Sequence, residues 1–224
     1  MRQLFHELDT LRAKVLAMAA LVEEAVRRSV HVVLDHDEME GRRVLDLEAR
    51  INLAEVETDE IATRLLALQQ PVAKDLRFIT AAIKINSDLE RMGDLAVNIV
   101  RNSLELSSAP DVNDTPELPE LARRVEEMVR HTIEALADAD ETKAREVLAA
   151  DDAVDALRTR MYKRLVTSIE KDATAASRNV KLIFVAHSLE RIADHSTNVA
   201  ESVLFFVHGV EVRHRVEILE GGVG

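Results

Sequence analysis

The chain has 224 residues, 47% of them apolar, with 29 Lys and Arg against 41 Asp and Glu, a formal charge of −12. It has no Cys, so disulfides and thiolate-ligated zinc or iron–sulfur sites are excluded. Lys and Arg form no basic stripe, which argues against nucleic acid as a partner, because binding phosphates needs clustered cations. The apolar fraction is that of a globular protein, and the length suits one large domain or two of about 100 residues.

Only six Gly and four Pro occur, and three of the glycines fall in the last four residues. A body so poor in breakers and so rich in Ala, Leu, Glu and Arg predicts an all-α fold. Met1-Arg2-Gln3-Leu4-Phe5-His6-Glu7 does not resemble a signal peptide. Apolar runs such as 15–22 fall far short of the ~20 residues of a membrane span.

Taken in chain order, a first helix is predicted from Leu4 to Leu34, with Leu8, Leu11, Val15, Met18 and Val22 on one face. His36-Asp37 makes a turn, and Asp35 or Asp37 can cap the second helix, which runs to about Leu68. Pro71 ends it, and a third helix runs from the "QQPVAKDLR" stretch to about Leu106. Three of the four prolines then fall between Ser107 and Pro119, a linker by turn chemistry. Beyond it the plan repeats: a helix from about Leu118 to Ala137, a turn at Asp138-Ala139-Asp140, a helix to about Asp172, and a last helix from about Ala175 to Val207. Helices near 30 residues joined by short turns fit antiparallel bundles. The expected organisation is two tandem three-helix bundles, at 1–108 and 120–208, a linker at 109–119 and a tail at 209–224, where Val210 and Val212 suit a short strand.

The two halves also share a phrase. "DLERMGD" begins at Asp88 and "SLERIAD" at Ser188. At an offset of one hundred, Leu89, Glu90, Arg91, Asp94 and Asn98 recur as Leu189, Glu190, Arg191, Asp194 and Asn198. At about 100° per residue, Glu90 and Asp94 lie only about 40° apart on one face. The apolar stripe of Ile85, Leu89, Met92, Ala96 and Ile99 points roughly 140–180° away. Gly93 and Ala193 are small enough to admit a close neighbouring helix. Carboxylates at i and i+4 repel, and a hard cation relieves that repulsion through oxygen donors. Each preceding helix holds a pair to face them: Glu48 and Asn52 in the first half, Asp151 and Asp155 in the second. Spacing alone leaves two readings open, an oxygen-ligated metal site and a solvated acidic face. His195, beside Asp194, is a further candidate contact for an ion. A di-iron bundle is rejected, because Glu-x-x-His occurs once, at Glu211 to His214 in the tail. No phosphate-binding loop, dinucleotide fingerprint or nucleophile elbow is present, so no catalytic constellation is expected.

The halves, the stretch "RLLALQQPVAKDLRFITAAIKI" leading into "DLERMGDLAVNIV", and "SLERIADHSTNVAE" closing the second half together resemble the PhoU family over nearly the whole chain. The resemblance implies a regulator of phosphate-specific transport and a repressor of the phosphate-starvation response, not an enzyme. It implies docking on the phosphate ABC transporter ATPase and on the phosphate-sensing histidine kinase, at the cytoplasmic face of the membrane. It also implies multinuclear iron or zinc clusters on the bundle surface, the first at Glu48, Glu90 and Asp94, the second at Asp151, Asp155, Glu190 and Asp194. Asn52, standing where the second half has Asp155, is expected to weaken the first cluster. A homodimer is expected, since bundles with exposed apolar stripes pair. The competing readings are a metal-dependent hydrolase or metal store, and a purely structural scaffold.

Overall fold

The computed structural model describes residues 2–106 and 115–209. These residues form six long α-helices: α1 Arg2–Asp35, α2 Glu38–Gln69, α3 Ala73–Leu104, α4 Glu117–Asp138, α5 Glu141–Lys171 and α6 Ala176–His208. A short 3-10 turn, Ala173–Ala175, precedes α6. Helices α1, α2 and α3 pack on one another, and α4, α5 and α6 do the same. Tandem three-helix bundles therefore match the expectation. The stretch 107–114 of the predicted linker and the predicted strand at Val210–Val212 lie outside the described residues.

The caps follow local chemistry. The Asp37 side chain accepts from the backbone N–H of Met39 at 2.9 Å and Glu40 at 3.2 Å, and Asp140 does the same for Thr142 at 2.8 Å and Lys143 at 3.2 Å. Asp172 caps the 3-10 turn through Thr174. Helix α4 begins at Glu117, inside the stretch predicted as linker. Pro119 does not prevent this, because N–H groups of a first turn have no helical partner to lose. Glu117 is buried there, and Arg164 of α5 donates to both its oxygens at 3.1 Å.

Two seams join the bundles: α3 against α6, and α1 against α4. The central pair runs antiparallel. Phe78 meets Phe206 edge-on at 5.8 Å, Lys84 lies over the Phe205 ring, and at the far end Lys181 pairs with Glu105. Midway, His195 Nδ1 donates to Asp88 Oδ1 at 2.8 Å, and Asn198 Nδ2 donates to the same oxygen at 3.2 Å. Ser188 occupies the position equivalent to Asp88 and Leu95 that equivalent to His195, so the repeat does not duplicate this polar clasp.

Because α3 is central, it buries far more than one stripe. Ile85, Leu89, Met92, Ala96 and Ile99 are buried as expected, and Ala81, Ala82, Gly93, Val97 and Val100 are buried as well. At Gly93 α2 approaches closely, since a Cβ there would sit 3.1 Å from Ile51 Cδ1 and 3.3 Å from its Cγ2. Gly93→Leu would drive a side chain into the buried Ile51. The expected loss is about 2–3 kcal/mol of stability by overpacking, measured by urea unfolding. An unchanged midpoint would show that α2 is free to move away.

Candidate acidic face

The duplicated carboxylates sit where the helix-wheel argument put them, on the arc of α3 and α6 left over after both seams are buried. Asp94 and Asp194 are exposed, while Glu90 and Glu190 are half-buried.

In the second bundle the four predicted residues lie near enough for their charges to act on one another. Asp151 is half-buried on α5, and burial pushes its carboxyl up to about 6, helped by the negative charges of Asp155, Asp194, Asp152 and Glu190. Asp194 is also raised, by burial first and then by Glu190 and Asp155. Asp151 Oδ1 is buried without a hydrogen-bond partner. Two positive or ionisable groups flank the set: Arg158 Nε lies 3.9 Å from Glu190 Oε1, and His187 Nδ1 lies 3.0 Å from Glu190 Oε2. His195 is buried and turned into the inter-bundle clasp with Asp88.

The first bundle differs in detail. Burial raises the Glu90 carboxyl, and the charges of Asp94 and Glu55 raise it further. Glu48 is half-buried and Asn52 exposed, so the α2 carboxylate felt by Glu90 is Glu55, which the sequence reading passed over. A signal for it exists. Glu48 and Asn52 align with Asp151 and Asp155 at an offset of 103, and one turn further the same offset aligns Glu55 with Arg158. The negative charge missing at Asn52 is thus offset by Glu55, at a position where the second bundle carries a cation. Asn86 fixes this turn of α2 by donating to the Glu55 carbonyl at 2.9 Å and to Asp59 Oδ1 at 3.1 Å.

Crowded carboxylates with an orphaned buried oxygen form a donor set suited to a hard or borderline cation. Among the described residues, no three carboxylate or imidazole groups already converge as a ready-made ion site. A depression of about 750 Å³ lies elsewhere, at the junction of α5 and α6, lined by Lys163, Arg164, Lys171 and Arg178 among others. The acidic residues do not line it.

The raised carboxyl of Asp151 has a stability consequence. The native state holds its proton to higher pH than the unfolded chain does, so the metal-free protein loses stability as pH rises from about 4 through 6. Asp151→Asn removes that loss. The variant is expected to gain about 1 kcal/mol over wild type above pH 7, after allowance for solvent screening, and nothing near pH 4. Thermal unfolding across this range checks it, and a pH-independent difference would refute the burial argument.

Comparison with known proteins agrees with this architecture. The family model described as the PhoU domain matches twice, at residues 15–103 and 118–203. The chain is 36% identical over 212 residues to the phosphate-specific transport system accessory protein PhoU homolog of Pseudomonas aeruginosa, covering 93% of this chain and 86% of that one. It is 34% identical over 209 residues to the protein of the same name from Zymomonas mobilis, covering 93% and 88%. The crystal structure of PhoU from Pseudomonas aeruginosa superposes with a TM-score of 0.87 at 35% identity, over 92% of this chain and 99% of that one. A Streptococcus pneumoniae phosphate transport system regulatory protein PhoU, 24% identical, shares the fold at a TM-score of 0.84, over 93% of this chain and 99% of that one. With both bundles matched and relatives more than 30% identical along nearly its whole length, the chain belongs to the PhoU family.

Proposed function

We propose that this protein is a regulatory adaptor of phosphate-specific transport and a negative regulator of the phosphate-starvation response. The observation that carries this reading is membership of the family across both bundles, with relatives named as accessory proteins of that transport system. As adaptor it docks on the phosphate ABC transporter ATPase and on the phosphate-sensing histidine kinase, and it functions as a homodimer. It works in the cytoplasm and reaches the inner face of the membrane through these partners. None of its helices, among the described residues, is long and apolar enough to cross a membrane. Deleting the gene is expected to switch on phosphate-starvation genes in phosphate-rich medium, and reporter expression measures it. Unchanged expression would sink the reading.

The acidic faces are the proposed seats of iron or zinc. Asp151, Asp155, Glu190 and Asp194 would hold it on the second bundle, and Glu48, Asn52, Glu90 and Asp94, joined by Glu55, on the first. A bound cation supplies positive charge that cancels the carboxylate repulsion and fixes the two helices of each face relative to each other. The orphaned Asp151 oxygen supports this role. Elemental analysis of untagged, chelator-free protein is expected to give more than one metal per chain, falling by about half in Glu190→Ala and Asp194→Ala. Metal content that ignores both substitutions would return the acidic face to solvent. The depression lined by Lys163, Arg164, Lys171 and Arg178 does not adjoin these carboxylates, so it lends no substrate pocket to a hydrolase reading.

A further inference from the structure

Among the described residues, helix α2 packs only on α1 and α3, and so flanks the two bundles. Its outward face carries Leu45, Leu53, Val56 and Leu68, which are 42%, 60%, 52% and 70% exposed. With Ala49 and Ala67, all but Leu68 fall within an arc of about 80°, and Leu68 borders it. The flanking helix of the other bundle lacks this face. At the same 103-residue offset, Leu53, Val56 and Leu68 become Ala156, Thr159 and Lys171. An exposed apolar stripe of this length flanked by charges marks an interaction surface.

The charges beside the stripe identify what covers it. Asp46, Arg50, Glu60 and Arg64 are exposed, and none forms an ion pair among the described residues. The four are arranged symmetrically about the level of Glu55. Pairing α2 with a second α2 running antiparallel about that level sets Asp46 of each copy opposite Arg64 of the other, and Arg50 opposite Glu60. Leu53 of each then meets Val56 of the other. A two-fold interface requires such self-complementarity of one patch. From Leu45 to Leu68 the stripe is about 35 Å long, and pairing about Glu55 shares positions 45–65 of it, about 30 Å.

We propose that the outward face of α2 is a homodimer interface, formed by antiparallel pairing with a second copy of this chain about the level of Glu55. It gives a surface and a register to the homodimer of the functional reading and rests on that reading. The pairing places both first-bundle acidic faces beside the dimer axis and both second-bundle faces at the outer ends.

Sedimentation equilibrium of the full chain tests it. Wild type is expected to dimerise, and Leu53→Glu to be monomeric with unchanged helix content by circular dichroism. Asp46→Arg and Arg64→Asp are each expected to weaken the dimer about tenfold or more, by setting like charges opposite each other twice. The double variant is expected to recover wild-type affinity. A wild-type dimer that none of these substitutions alters would overturn the α2 surface and leave the homodimer intact. Weakening by the single variants without recovery in the double would overturn the register. A monomeric wild type would overturn the surface and the homodimer together.

Discussion

The packing of α3 against α6 is the constraint on which the rest of the molecule depends. Each of these helices is covered twice, once by its own bundle and once by its counterpart. On α3 the exposed residues Lys84, Ser87, Arg91, Asp94 and Asn98 fall on an arc of under 120°. What the middle turns of α3 present to a ligand or partner comes from that arc. The Glu-Arg-x-x-Asp phrase occupies it in both halves, with the Glu at its edge, close enough to the neighbouring helix to be half-buried. This placement raises Glu90, and its counterpart on α6 crowds Asp151 and Asp194. The electrostatic character of the acidic faces follows from how deeply the central helices are buried.

The repeat is faithful where packing demands it and departs where it does not. Gly93 and Ala193 both keep a small residue under the approaching helix. The Asp88 clasp to His195 and Asn198 has no copy on the other side, where Ser188 and Leu95 stand. Glu55 and Arg158 are opposite in sign at equivalent positions. One polar clasp suffices to fix the register of a long apolar seam, because a slipped register would leave the Asp88 carboxylate half-buried without partners.

Most of the fold was legible. Sparse Gly and Pro, capping aspartates at Asp37 and Asp140, and the turn at Pro71 located six helices to within a few residues. The start of α4, expected at about Leu118, is at Glu117, and Pro119 sits in its first turn, where it breaks no hydrogen bond. The second buried side of α3 was not legible either. Ala81, Ala82 and Val97 are too small or too isolated to form a stripe, and only the partner bundle explains their burial. At the candidate site the phrase itself exposed Glu90, Asp94, Glu190 and Asp194. Glu55 was hidden because i, i+4 spacing along one helix does not reveal it, while the Glu90 it acts on lies across a helix–helix contact.

The comparison of α2 with α5 shows what duplication leaves free. Both flank the bundles, both contribute carboxylates to an acidic face, and among the described residues both pack only within their own bundle. Neither outward face takes part in the fold, so its composition is not set by stability. On α5 that freedom produced a solvated surface with Thr159 and Lys171, and on α2 an apolar stripe flanked by unpaired charges of both signs. Selection for folding accounts for the first and not for the second, because exposed Leu53 and Leu68 stabilise nothing within one chain. The proposed pairing of α2 with a second copy would account for an asymmetry that a simple repeat would not carry.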